Sequence, residues 1–359
     1  MTQADLARDI GLTRQAISAF EQGAKQPEVA TLVRIAEALQ QPISYFVAKS
    51  FEPFGRFSAR NYRAFGAATK KRNDQCDVLA EWVTVIAAYL NESVNFPVPN
   101  IPEIPSPEDG CAYTDDEIEC AAETVRKAWG LGTGPIGNLT KLIESNGVFV
   151  SHLPIIDKGV NAFSYWSGSK PFILTGSDDT TAVRRRFDIA HELGHLVLHQ
   201  GIDEAELEQK PTLSRVEAEA NRFAGAFLLP RSSYPNEVFS TRLDAFVELK
   251  ARWKVAVSAQ VYRCSDLELF SDHQVLNLRK QISFKKWRKK EPLDNSLPIE
   301  EPSMVFKAAR MAVDAGVISP DSMFNDINYN KRFISKISGI REEEFGGEAK
   351  EADPSLSIK

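Results

Sequence analysis

The chain has 359 residues, of which 43% are hydrophobic and 26% are charged, and its formal net charge at neutral pH is −6. This length accommodates two or three domains of ordinary globular composition, and the acidic balance argues against non-specific binding of polyanions by the chain as a whole. We find no signal peptide and no apolar run long enough to span a bilayer. The four cysteines lack C-x-x-C spacing, so we expect reduced thiols in a cytoplasmic protein that has no membrane partner.

The first segment, residues 2–46, predicts a set of short helices. Threonine begins and glycine ends each of the first two, residues 2–11 and 13–23, and a further amphipathic helix is expected over residues 27–39. Two short helices joined by a tight turn form a helix-turn-helix. The segment resembles the repressor-type (Xre/Cro) helix-turn-helix family, and the resemblance implies binding to double-stranded DNA.

The exposed face of the second helix carries the predicted DNA contacts. In this family the second helix reads the major groove, and Arg14, Gln15 and Ser18 are placed to reach base edges or phosphates. Gln3, at the start of the first helix, is expected to bind a phosphate. Residues 1–50 hold five Lys/Arg and five Asp/Glu, so tight binding requires a local patch or a homodimer. The alternative is a helical module that has lost DNA binding. Because the family has another helix before this pair, we expect a misassigned start or an incomplete domain.

Further along, a proline-rich stretch at residues 96–108 predicts an extended connector. It follows a helical region around residues 78–92 and precedes the part of the chain that carries the clearest chemical motif.

That motif is His-Glu-Leu-Gly-His at residues 191–195, the H-E-x-x-H pattern, and its apolar flanks predict a buried helix. On a helix, His191 and His195 leave the same face one turn apart. Two neutral imidazoles at that separation bind one tetrahedral Zn²⁺. Glu192 follows the first ligand and is placed to act as general base on zinc-bound water and then as general acid toward the leaving amine.

A catalytic zinc site needs a third protein ligand and one open position. His199 lies roughly 12 Å from His191 along the helix axis, too far for both to bind one ion, so it is expected to pack or to support the site from outside. Leu198 and Gly201 stand where the three-histidine zinc-peptidase pattern has glycine and histidine. That class is therefore excluded, and a glutamate from a later helix is expected.

The predicted helix at residues 215–230 offers two glutamates for this position. Glu217 shares a helical stripe with small and apolar residues, which favours it as the ligand. Asn221, one turn further on, is then expected to hold a zinc-bound histidine. Glu219 remains the alternative ligand.

Three stretches together, residues 186–199, 217–224 and 228–230, resemble the ImmA/IrrE family of metallopeptidases, and residues 125–139 resemble its entry segment. The resemblance implies a zinc-dependent metalloendopeptidase that acts in regulation by cleaving or inactivating a repressor- or antitoxin-type protein. The alternative is a transcriptional regulator or antitoxin that uses a non-proteolytic zincin fold as a sensor.

Residues 161–166 and 171–175 predict a β-hairpin beside the motif helix, whose edge strand would hold a peptide substrate by β-addition. Helices over residues 243–254 and 258–269 are expected to pack over the peptidase cleft, with a second helix-turn-helix as the alternative. The run at residues 285–290 is basic. It is expected to be solvated, or else to contact nucleic acid or an acidic partner.

The predicted fold is α+β and mainly helical. A helical helix-turn-helix domain precedes a zincin-like peptidase domain, in which a small sheet packs on the H-E-x-x-H helix, and a helical region ends the chain. The predicted boundaries are 1–50 for the helix-turn-helix domain, 51–115 for a helical region and linker, 116–235 for the peptidase domain, 236–340 for the C-terminal helices, and 341–359 for a disordered tail.

Overall fold

The computed structural model describes residues 1–49, 51–58, 70–107, 111–153, 161–176, 180–207 and 209–344. Within these ranges the protein has sixteen α-helices and one three-stranded sheet, which confirms the α+β, mainly helical class. The chain divides into two compact units, the first formed by residues 1–54, 69–96 and 305–359 and the second by residues 55–68 and 97–304. No helix in the described ranges is long and apolar enough to cross a membrane. Most of the predicted tail, from residue 345 onward, lies outside the described residues.

The elements follow one another along the chain in three stretches. The first unit begins with α1 (Gln3–Asp9), α2 (Arg14–Glu21), α3 (Val29–Leu39), α4 (Ser44–Val47) and α5 (Lys70–Asn91). The second unit contains α6 (Asp115–Ala128), α7 (Leu139–Ser145), β1 (Phe149–His152), β2 (Ala162–Ser167), β3 (Lys170–Thr175), α8 (Ala182–Leu198), α9 (Glu204–Leu207), α10 (Lys210–Leu228), α11 (Leu243–Trp253), α12 (Val257–Asp266) and α13 (Asp272–Phe284). The chain then returns to the first unit with α14 (Met304–Asp314), α15 (Pro320–Ile327) and α16 (Lys331–Ser338).

The N-terminal helices form as their caps predict. The Thr2 hydroxyl accepts from the backbone N–H of Asp5, and the Thr13 hydroxyl does the same for Ala16, so each helix begins with a satisfied amide. The Arg34 guanidinium of α3 donates to the Ile10 carbonyl at 3.0 Å, which ties α3 to the end of α1. A small core holds the three helices together, formed by Leu6, Ala7, Ile10, Ile17 and Ile35.

In the rest of the first unit, α5 packs against residues near the C-terminal end of the chain. The Trp82 ring of α5 lies 4.7 Å from the Phe333 ring, 5.1 Å from the Tyr329 ring and 5.9 Å from the Tyr45 ring, measured between centroids. Asn330 caps α16 and also donates to the Gln40 carbonyl at 2.9 Å. The helix-turn-helix segment therefore shares one aromatic cluster with α5, with α16 and with Tyr329, which lies just before α16.

The sheet of the second unit has the order β1-β3-β2. β2 and β3 pair antiparallel through a two-residue turn at 168–169, which confirms the predicted hairpin. β1 adds to the other side of β3 in parallel and is not predicted by the sequence analysis.

The motif helix α8 packs on this sheet with one side and on α10 with another. Gly194 lies at the crossing of α8 and α10: a Cβ there would lie 3.2 Å from the Ala220 Cα and 3.1 Å from the Phe223 ring. At the start of α8, Arg186 pairs with Glu300 and Arg185 pairs with Glu301. These contacts offset the unfavourable placement of cations at a helix N-terminus.

The helices α11, α12 and α13 pack on one another around a buried charge. The Lys250 ammonium is fully buried and donates to Glu291 at 2.9 Å and to Asp294 at 2.5 Å. Glu291 also accepts from the backbone N–H groups of Val257 and Ser258, so the same carboxylate caps α12. Because the carboxylates of Glu291 and Asp294 are bound to buried groups, neither forms an ion pair with a surface cation among the described residues.

Candidate metal centre

Three side chains from two helices meet where α8 and α10 pack together. His191 and His195 are 7% and 2% exposed, and Glu217 of α10 is half-buried. The two Nε2 atoms lie 3.0 Å apart. The Glu217 carboxylate lies 3.1 Å from His195 Nε2 and 3.4 Å from His191 Nε2. These three side chains are the only group of at least three among the described residues arranged to hold a metal ion.

Each histidine has a partner at its other ring nitrogen. The Asn221 Oδ1 lies 3.1 Å from His191 Nδ1, so Asn221 accepts the Nδ1 proton. His195 Nδ1 lies 2.9 Å from His199 Nδ1. Partners of this kind fix the tautomer and the orientation of a metal-binding imidazole.

The second histidine is backed by a longer relay. His199 Nε2 lies 2.8 Å from a Glu219 carboxylate oxygen, and the other oxygen accepts from the Tyr113 backbone N–H at 3.0 Å. Glu219 thus faces His199 rather than the three-residue cluster. His199 was expected to pack or to support the site from outside, but this relay was not predicted; its signal is the four-residue spacing from His195 to His199.

The relay has a consequence for the protons at the cluster. With His199 Nε2 donating to Glu219, its Nδ1 accepts from His195, and the Nε2 of a neutral His195 carries a lone pair. The same holds for His191, whose proton is on the Asn221 side. Two lone pairs and a carboxylate therefore face one another. Such a set of acceptors requires a cation, and two imidazoles with one carboxylate is a donor set that suits zinc.

The electrostatics favour the metal-binding forms of His195 and Glu217, whereas at His191 the effect of burial is outweighed by the Glu217 and Glu192 carboxylates, which raise its pKa. Burial lowers the pKa of His195 to about 3, which keeps its imidazole neutral. Burial alone would raise the pKa of Glu217, but its contacts with the His191 and His195 imidazoles outweigh burial and lower the pKa to about 2. Neutral imidazole and ionised carboxylate are the forms in which these groups bind a metal.

Glu192 lies beside the cluster on α8 and is 2% exposed. One of its carboxylate oxygens is buried and finds no hydrogen-bond partner within the described ranges. Burial raises its pKa to about 7, against the opposing effects of His191 and the Ser164 hydroxyl of β2. A carboxylate of this kind is suited to exchange protons near neutral pH.

A cavity of about 920 Å³ is lined in part by residues of α8 and α10 that neighbour the cluster. Its wall includes Asp188, one turn before His191 on α8, and Asn221, one turn after Glu217 on α10. The other walls come from residues near α6 and from α12, including Tyr113, Ile118, Ala259 and Tyr262. The cavity reaches Asn221, the partner of His191, but none of His191, Glu192, His195 and Glu217 lines it.

The edge strand β2 is already paired at one end. The Ser58 backbone N–H donates to the Trp166 carbonyl at 2.9 Å, and the Gly168 N–H donates to the Arg56 carbonyl at 3.0 Å. Residues 56–58 therefore cover this end of the edge on which β-addition of a substrate was expected.

The predicted DNA-contacting residues lie on the first unit. Arg14 and Gln15 are exposed on α2, and Ser18 is half-buried. Gln3 donates to Glu21 at 2.6 Å and accepts from the Arg14 guanidinium at 3.4 Å. The structure thus brings Gln3 and Arg14 together in a surface network.

The helix pair, the sheet against α8 and the arrangement of acceptors are those of a metallopeptidase-like domain. Comparison with known families agrees: the IrrE N-terminal-like domain of the M78 peptidases matches residues 143–265, and a helix-turn-helix family matches residues 1–46. The chain joins a helix-turn-helix segment to an IrrE N-terminal-like peptidase-family domain. The first match extends through α11 and most of α12. No curated protein matched the chain.

Proposed function

We propose that the protein is a zinc-dependent metalloendopeptidase that acts as a DNA-binding regulator by cleaving or inactivating a repressor- or antitoxin-type protein. The observation that carries this proposal is the buried set of acceptor atoms on His191, His195 and Glu217, with a carboxylate next to it. Asn221 holds the first histidine and the His199–Glu219 pair holds the second.

The chemistry assigned to the protein's own residues is proton transfer. Zinc, when bound, supplies Lewis acidity that polarises a peptide carbonyl and makes water a better nucleophile. Glu192 takes a proton from the attacking water and gives it to the nitrogen of the leaving amine, so the C–N bond breaks as a neutral amine departs. The low exposure of Glu192 keeps bulk water from competing for that proton.

The helix-turn-helix match supports DNA binding by the first unit. In the proposed function Arg14, Gln15 and Ser18 contact the major groove and Gln3 contacts a phosphate. Since the segment carries balanced charge, a homodimer would supply the affinity that one copy lacks. A regulator of this kind works in the cytoplasm, where it meets both operator and substrate.

The decisive test replaces Glu192 with Gln in the full chain. Gln keeps the size of the side chain but cannot accept the proton, so cleavage should fall by about a hundredfold or more while bound zinc is unchanged. New protein N-termini are compared in cells that express wild type, Glu192→Gln, or Glu248→Gln. Glu248 is an exposed residue of the same unit and serves as the matched control. Equal cleavage by wild type and Glu192→Gln would contradict the mechanism.

One observation favours the alternative of a non-proteolytic sensor: Glu192 and His195 are each 2% exposed, which restricts access for a polypeptide. In that case zinc-loaded wild type produces no new N-termini. Its promoter affinity would instead depend on zinc, equally in wild type and in Glu192→Gln.

A further inference from the structure

The second unit carries a cluster of positive charge outside the metal centre. It lies directly after α13, at residues 285–290, and is called here the basic segment; its cations are Lys285, Lys286, Arg288, Lys289 and Lys290. All five side chains are exposed, in a chain whose net charge is −6. Within the described ranges none of them takes part in an ion pair.

The acids that follow the basic segment do not neutralise it. Glu291 and Asp294 are 5% and 9% exposed, and both bind the buried Lys250 ammonium. Glu291 also accepts hydrogen bonds from the backbone N–H groups of Val257 and Ser258 at the N-terminus of α12. Neither of these two acids therefore offsets the positive charge of the segment.

The segment is also held in place. Trp287 is half-buried and packs against the core of the second unit, while the Lys285 ammonium lies 5.4 Å from the centre of its ring. The Trp287 and Lys289 backbone N–H groups donate to the carbonyls of Ile282 and Lys286. Next to it the Phe284 ring is 90% exposed. The dipole of α13 accounts for a cation at its C-cap, Lys285, but not for Lys289 and Lys290, since the effect fades within one turn.

We propose that the basic segment is a second contact for double-stranded DNA, one that binds the phosphate backbone without reading its sequence. A run of exposed, ordered and unpaired Lys/Arg is the feature that neutralises phosphates and releases counterions. DNA is the polyanion favoured here because the same chain carries a helix-turn-helix segment. The segment then adds affinity that the charge-balanced first helices do not supply. This proposal is independent of peptidase activity.

The test measures binding of the full-length protein to a short labelled DNA duplex of arbitrary sequence by fluorescence anisotropy, between about 50 and 200 mM salt. The variant carries Lys285→Gln, Lys286→Gln, Lys289→Gln and Lys290→Gln. If these lysines contact phosphates, the slope of log K against log salt should become shallower by about 3 to 4, and affinity at about 50 mM salt should fall at least tenfold.

A matched control removes four exposed cations that are dispersed over the same unit: Lys127→Gln, Lys141→Gln, Lys210→Gln and Arg242→Gln. It changes the net charge equally and should leave the slope close to that of wild type. Replacing the four lysines of the segment with Arg should also retain the slope. Circular dichroism and zinc content check that each variant is folded.

The proposal is overturned if the segment variant keeps the wild-type slope, or if the dispersed variant loses as much. It is also overturned if DNA binding is unchanged while binding to phosphatidylserine–phosphatidylcholine vesicles is lost, which would make the segment a membrane contact.

Discussion

The candidate metal centre and the helix-turn-helix segment are built in opposite ways. At the metal centre, His191, His195 and Glu217 are held by groups on two helices that approach closely enough to require Gly194. On α2, Arg14 and Gln15 are exposed, and the contacts of Arg14 are with a neighbouring surface side chain. A small change in the buried site should therefore have a large and localised effect, whereas a change on the exposed face should be modest and screened by salt.

The largest expected effect separates the two glutamates of α10. Glu217→Gln removes a charged ligand and should abolish stoichiometric zinc binding. Glu219→Gln weakens only the relay through His199 and should lower zinc affinity by about 10- to 100-fold. Competition with a zinc chelator measures both. A greater loss in Glu219→Gln than in Glu217→Gln would assign the ligand to Glu219.

The next effect tests the close approach of the two helices. A Cβ at position 194 meets the Ala220 Cα at 3.2 Å, so Gly194→Ala should push α10 away from α8 and cost about 1–3 kcal/mol in packing. The gain in helix propensity, about 1 kcal/mol, offsets part of this cost. Zinc affinity should fall together with the melting temperature, because Glu217 moves with α10.

Gly225→Ala is the matched control on the facing helix. A Cβ there meets only the Arg263 Cδ, at an ordinary 3.7 Å. This variant should be stabilised by up to about 1 kcal/mol and should bind zinc like wild type. If the two alanine variants behave alike in calorimetry and chelator competition, the crossing does not position Glu217.

The smallest effect concerns the exposed face of α2. Arg14→Ala should weaken binding to a DNA duplex selected by the wild-type protein by about tenfold, the magnitude of one good base contact. Zinc content should not change. Arg8→Ala, on the exposed surface of α1 and paired with Asp5, is the control. Equal losses in Arg8→Ala and Arg14→Ala would show that charge, and not the position on α2, determines binding.

Features set by local spacing can be predicted from the sequence, whereas features set by packing between helices cannot. His191 and His195 are four residues apart, so the motif at residues 191–195 is enough to predict that both lie on the same face of a helix. The caps of α1 and α2 are equally local, and the pattern of the hairpin strands is nearly so. Glu217 and Glu219 differ by which side of α10 faces α8, and the sequence analysis kept both possibilities open because only packing separates them.

Other features depend on contacts that no local pattern contains. β1 is four residues long and pairs with a strand more than twenty residues away, so its short run gives a weak signal. The relay from Glu219 through His199 requires α8 and α10 to be side by side. The burial of Glu291 and Asp294 is set by Lys250, more than forty positions earlier in the chain. The boundaries of the five predicted segments, the disordered tail among them, stay predictions.

The first unit is discontinuous, and this has a consequence for its biosynthesis. The helix-turn-helix segment leaves the ribosome first, but the partners of Tyr45 and Gln40, which are Tyr329 and Asn330, are made last. At about 5–20 residues per second, the wait between the two is on the order of 15–60 s. A nascent or truncated chain thus holds its first helices without the partners supplied by the connection between α15 and α16. Completion of the unit is thereby linked to translation through the whole peptidase region.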